Sequence, residues 1–298
     1  MRGVIAALIT PYNGYGGIDT DGVGRLTERA IAGGVAALLV NAPIGEAPHL
    51  SRGERLFVIE AAREAANGRV PLYAGTGAAG GEETLALTWD AGNAGVAAAF
   101  VVAPAYYPLA QEALLAHYRT IVRRGRLPIV PHNAPTRLGN DLTPATLAAL
   151  AAEPAIAALA QDGRDPAALG ATRDLVAGRA AILAGDANAR DPAADAGLVS
   201  ALAGILPRAT IAAYRAGAAP ALWAALHPLR ALLADEGRAV AVAKAALTIL
   251  GLPGGAPRAP MPGLAAAEHA ALVALLGVLT GADAAPVVAT PPTILPPR

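Results

Sequence analysis

The chain has 298 residues, 54% hydrophobic and 15% charged, which is ample material for a core and too little charge for a disordered chain. Lys+Arg and Asp+Glu both number 23, so no net basic charge is available to neutralise a phosphate backbone, and nucleic acid is not an expected partner. Cysteine is absent, which excludes a disulfide framework, a thiolate nucleophile and cysteine-based zinc or iron–sulfur sites.

In chain order, the run over 4–11 is too short for a secretory leader and reads as a first strand, so a cytoplasmic protein is expected. Asp19 opens a helix, and a second strand follows over 36–42. Ser51 and Glu54 stand at capping-box spacing, and a third strand covers 70–76. Gly75-Thr76-Gly77 reads as a tight turn after that strand, because the rest of a phosphate-loop motif is missing. The fourth strand, 97–104, lies in a charge-free stretch whose Pro104 and Pro108 suit a strand and loop better than a membrane span. Strands over 128–133, 156–161, 180–185 and 198–202 complete the series, with Thr143-Pro144 starting another helix.

Eight apolar runs separated by helices predict an α/β protein, a (β/α)8 TIM barrel with a C-terminal helical extension. An open, doubly wound sheet is the alternative. Beyond residue 205 only helices are expected, near 208–216, 219–235, 239–250 and 264–280. The domain reading is a barrel over 1–206, a helical domain over 207–283 and a proline-rich tail over 284–298.

Several segments at the predicted strand ends carry a resemblance. Gly45-Glu46 with Leu50-Ser51 and Glu54-Arg55 resembles G-T-T-G-E…L-S-x-x-E-R, Pro104-Ala105-Tyr106-Tyr107 resembles P-Y-Y, and His132 to Gly139 resembles Y-N-x-P-x-R-T-G. Gly185-Asp186, Gly197-Leu198-Val199-Ser200, and Lys244 to Gly251 followed by Arg258 and Pro260 continue the series in the same order. Together they resemble the dihydrodipicolinate synthase and N-acetylneuraminate lyase family over roughly 3–280. That resemblance implies a barrel that assembles as a dimer or tetramer. It also implies a 2-oxo acid bound as a Schiff base on a lysine at the end of strand six, where a protonated imine acts as electron sink.

Strand six departs from that pattern. Ile156 to Asp165 stands where the family has I-x-G-x-K-[DE]-x-x-x-D, which puts Ala160, or Gln161 after a one-residue slip, at the lysine position. The only lysine is Lys244, expected in the helical region and remote from the strand ends. His132 replaces the family's strand-five tyrosine, and Ala42-Pro43-Ile44 replaces its glycine and two threonines.

The candidate site follows from these matches. His132 and Tyr107 are the acid/base candidates, although His132 also reads as a pocket-wall residue and Tyr107 as an interface residue. Arg137, Gly45, Glu46 and Val199 are the substrate-binding candidates, Arg137 for a carboxylate or alternatively as half of a rim salt bridge. No cofactor and no metal are expected. A less favoured alternative gathers Glu46, His132, Asp162 and Asp186 into a metal site that would stabilise an enolate. The leading functional expectation is a lyase-superfamily barrel that binds a small carboxylate ligand, a 2-oxo or hydroxy acid, without ordinary Schiff-base aldolase activity. The second is a pseudoenzyme that serves as a binding or assembly subunit, pairing with itself or with an active homologue.

Overall fold

A computed structural model describes residues 1–162, 165–186, 197–215, 220–235 and 237–280. Eight parallel strands close a barrel in sequence order: β1 Gly3–Ala7, β2 Ala37–Val40, β3 Leu72–Gly75, β4 Ala98–Val102, β5 Ile129–Asn133, β6 Ala158–Gln161, β7 Ala181–Gly185 and β8 Gly197–Ser200. The helices between them are α1 Thr20–Ala32, α2 Arg52–Ala66, α3 Gly81–Asn93, α4 Gln111–Arg124, α5 Pro135–Leu138, α6 Pro144–Leu150 and α7 Pro166–Val176. After β8 come α8 Ala201–Ile205, α9 Pro207–Arg215, α10 Pro220–Leu233, α11 Ala239–Ile249 and α12 Ala266–Thr280. The predicted barrel and its helical extension are both present, and the open-sheet alternative is ruled out because β1 pairs with both β2 and β8. The predicted tail falls outside the described residues.

Helix starts follow the local chemistry. Asp19 Oδ1 accepts the Gly22 amide at 2.8 Å, Ser51 and Glu54 form the full capping box on α2, and Thr143 caps α6 with Pro144 in its first turn. The strands are shorter than their apolar runs. β1 stops at Ala7 although Leu8, Ile9 and Thr10 stay buried, because the chain there leaves the ladder to build the barrel mouth. Among the described residues no helix is long and apolar enough to cross a membrane.

Register decides which residues face inward. Val102 pairs with His132, His132 with Ala160, and Ala160 with Leu183, so these share the interior face. Their neighbours one residue away point to the helices: Leu159 packs with Leu169 and Ile182, and Gln161 Nε2 donates to Thr172 Oγ1 on α7 at 2.8 Å. Of the two strand-six candidates, Ala160 therefore faces the barrel interior and the Gln161 amide faces the helical layer.

Candidate functional site

At the C-terminal ends of the strands, two adjoining cavities share Leu39, Ala42, Pro43, Ile44, His132 and Arg137 as walls. The deeper one, about 60 Å³, reaches Ala160, Asp162, Asp186 and Val199; the outer one, about 510 Å³, reaches Phe100, Val102, Leu138, Val240 and Met261. The helical extension roofs both, through Arg230 and Leu233 of α10 on the first and Ala239 and Val240 of α11 on the second. Loops at this end of a parallel barrel are where reactive groups can vary without disturbing the core.

The polar floor centres on Asp162, just past β6. Arg137 Nη1 donates to its Oδ2 at 2.9 Å, and His132 Nε2 lies 3.9 Å from the same oxygen. His132 is buried and meets the Phe100 ring edge-on at 6.3 Å, which holds the imidazole plane. Arg137 is delivered by α5, a single turn opened by Pro135 and ended by Gly139 at φ 74°, a left-handed geometry that suits glycine. Gly185 supplies room for the cluster, since a Cβ there would overlap the Asp162 carboxylate. Arg137 thus stands as half of a salt bridge, the alternative that its place in the sequence also offered, and the imidazole beside the same carboxylate can take or give a proton. Val199 lines the deep cavity.

Other predicted residues are engaged differently. The Gly45 carbonyl accepts the Thr10 hydroxyl at 2.7 Å, and Gly45 does not line either cavity. Glu46 lines the outer cavity, but its Oε1 pairs with Lys244 Nζ at 2.6 Å and its Oε2 accepts the Arg258 amide at 2.7 Å. Its charge is thus spent on joining the β2 loop to the helical extension. Lys244 is accordingly not remote from the strand ends: α11 crosses the mouth and buries Nζ completely beside Glu46 and 3.8 Å from the Tyr12 ring centre. Burial pulls its pKa below the ordinary lysine value, with Glu46 acting against that shift. Tyr107 is 67% exposed, packs edge-on against the still more exposed Tyr106, and lines neither cavity.

The metal alternative finds no geometry. The Asp186 carboxylate accepts Ser200 Oγ at 2.5 Å and the Ala201 and Leu202 amides, capping α8. Burial raises its pKa, against the opposing pull of Ser200. Glu46 is committed as described, and among the described residues no three His, Cys, Asp or Glu gather as ligands.

Three contributors escaped the sequence reading. His49 walls the outer cavity 3.6 Å from Glu46 Oε2; an isolated histidine offers no spacing signal. Arg230 of α10 donates to the Asp186 carbonyl at 3.1 Å, a contact between segments far apart in sequence. Asn140 donates to the Pro104 and Tyr107 carbonyls at 2.6 and 2.8 Å and so fixes the tyrosine loop; only its place just after the Arg137 motif could have hinted at this.

Arg258 fixes the rim in a similar way. Its guanidinium makes a two-pronged contact with Glu54 at 2.7 and 3.1 Å, and this hydrogen bonding holds the Glu54 carboxyl down at about 2. The folded pKa is depressed, so the stabilisation is full above pH 4.5 and disappears as pH falls through about 2. Water still reaches the pair, which limits its contribution to on the order of 1 kcal/mol. Arg258→Met is expected to flatten this part of the urea-unfolding free energy measured between pH 5 and 2, and an unchanged slope would refute the assignment.

Comparison with known proteins agrees with this architecture. Residues 1–278 match the Dihydrodipicolinate synthetase family. A 4-hydroxy-tetrahydrodipicolinate synthase of Stenotrophomonas maltophilia is 34% identical over 293 residues, spanning 95% of this chain and 98% of that protein. The chloride-inhibited dihydrodipicolinate synthase of Acinetobacter baumannii, solved in complex with pyruvate, is 31% identical with a TM-score of 0.87, covering 94% of this chain and 99% of that one. The dihydrodipicolinate synthase of Aquifex aeolicus is 28% identical, also with a TM-score of 0.87, over 94% and 98% of the two chains.

Proposed function

We propose, for a chain that belongs to the dihydrodipicolinate synthetase family, that the barrel mouth binds a 2-oxo or hydroxy acid and does not carry out Schiff-base aldolase chemistry. The observation that carries this reading is Ala160. It faces inward at the end of β6, the resemblance implies a lysine at this residue or the next, and the only lysine in the chain is buried against Glu46. The acid-binding half draws on Arg137, whose planar fork suits a carboxylate, and on the pyruvate complex of the Acinetobacter baumannii relative.

Without an imine, the chemistry open to these residues is proton transfer beside a carbonyl. His132 Nε2 would take a proton from the carbon next to the ligand's carbonyl, and the electron pair would move to the carbonyl oxygen, towards the Arg137 charge. Asp162, 3.9 Å from that nitrogen, would steady the imidazolium. The second reading, a subunit retained for assembly, is favoured by one observation: Tyr106 and Tyr107 stand 78% and 67% exposed, as aromatics at an interface between chains would. Exchange of the pyruvate methyl hydrogens in deuterated water separates the two, since only the catalytic reading accelerates it above buffer.

Treatment with pyruvate and borohydride is expected to add no mass to the intact protein, while a lysine-bearing family member run in parallel gains a stoichiometric adduct. An adduct mapped to Lys244 would restore the aldolase reading and require α11 to open.

A further inference from the structure

We infer that the preferred ligand is an acid carrying a bulky apolar arm, such as an aromatic or branched 2-oxo acid, rather than a compact three-carbon acid. This rests on the acid-binding reading of the same site and extends it to substrate class.

The two cavities differ in size and in chemistry. The polar groups converge where they meet, at His132 and Arg137, and the deep cavity of about 60 Å³ has room for little beyond a compact head group. The outer cavity, at about 510 Å³, lies in the range that buries most of a drug-sized molecule. Its walls are the apolar side chains of Ile44, Phe100, Val102, Leu138, Val240 and Met261. Of the polar residues on the same wall, Asn41 donates its Nδ2 to the Arg55 carbonyl at 3.0 Å while its Oδ1 has no hydrogen-bond partner among the described residues, Glu46 pairs with Lys244, and His49 stands 3.6 Å from Glu46; Thr136 also lines the cavity.

A three-carbon acid held at Arg137 would leave this apolar volume filled with water. A phenyl or isobutyl arm would displace that water and remove apolar area from solvent on both surfaces, each square ångström contributing roughly 25 cal/mol. The β2 loop points the same way. Ile44 presents a hydrocarbon to both cavities, and Pro43 carries no amide hydrogen to direct at a polar ligand.

Calorimetric titration of the full chain with pyruvate, 4-methyl-2-oxopentanoate, phenylpyruvate and 3-phenylpropionamide tests the inference. Phenylpyruvate is expected to bind at least about tenfold more tightly than pyruvate, with 4-methyl-2-oxopentanoate between them and the uncharged amide weakest. Val240→Asp, shown to be folded by its circular dichroism melt, should bring the phenylpyruvate-to-pyruvate ratio towards one. Equal or tighter binding of pyruvate overturns the inference and leaves the acid-binding reading intact, as does a ratio that survives Val240→Asp. Binding of the amide with no binding of any acid overturns the acid-binding reading itself, and the inference with it.

Discussion

Ala160→Lys is expected to give a borohydride-trapped pyruvate adduct at residue 160, seen as a stoichiometric increase in intact mass and mapped by peptide digestion. Residue 160 faces inward in register with His132 and Leu183, and its methyl group borders the deep cavity, so a lysine there would extend towards Arg137. Withdrawal from water lowers an amine's pKa and leaves more of it unprotonated near neutral pH, the form that attacks a carbonyl. Some overpacking is expected, costing about 1–3 kcal/mol, because Ala160 is 1% exposed and only the cavity above it can yield. A folded Ala160→Lys variant that forms no adduct would show that this position is not equivalent to the family's lysine, and the main support for the proposed function would go with it. Gln161→Lys is the matched control. Its side chain would replace the amide that bonds Thr172 on α7, so no adduct is expected.

Lys244→Met is expected to be the most destabilising single substitution of a charged residue considered for this chain, by about 3–5 kcal/mol in urea unfolding, with little direct effect on ligand contacts. The lysine side chain is 0% exposed and its Glu46 partner 1%, so removing the cation leaves a carboxylate enclosed in protein with, among the described residues, the Arg258 amide donating to it and His49 3.6 Å away. The loss should be partly recovered in Lys244→Met with Glu46→Gln, since the second change removes the stranded charge; the double-mutant cycle therefore reads the pair directly. A cost below about 1 kcal/mol would mean that water reaches Glu46 and that the helical extension is not anchored to the barrel at this point. Such a result would also reopen Lys244 as a residue a substrate could reach.

The parts of the site legible in the sequence were those whose chemistry is local. Asp19, Ser51 with Glu54, and Thr143 with Pro144 each signal a helix start through groups within three residues of one another, and each is a cap in the structure. Arg137 and His132 were legible because one short segment at the end of β5 carries both. Glu46 is the opposite case. Its motif signals a strand end, but the partners that take up its charge, Lys244 and Arg258, are about two hundred residues away along the chain. Tyr107 was recognised by its motif, yet nothing local to that motif sets whether the ring enters the mouth or stands in solvent.

The amino-acid sequence by itself determined the number and order of the strands, because the alternation of apolar runs with capped amphipathic segments is written in near neighbours. It also determined that Lys244 is the one lysine of the chain. Only the tertiary structure decided which strand-six side chain faces the mouth, because a one-residue shift of register reverses every side chain and no local signal excludes that shift. It alone decided that Asp162 stands between His132 and Arg137, that α10 and α11 roof the mouth, and that Phe100, Val102, Leu138, Val240 and Met261 come together in the wall of the larger cavity. Each of these depends on closing the barrel, which brings distant segments together through packing rather than through any pattern of adjacent residues.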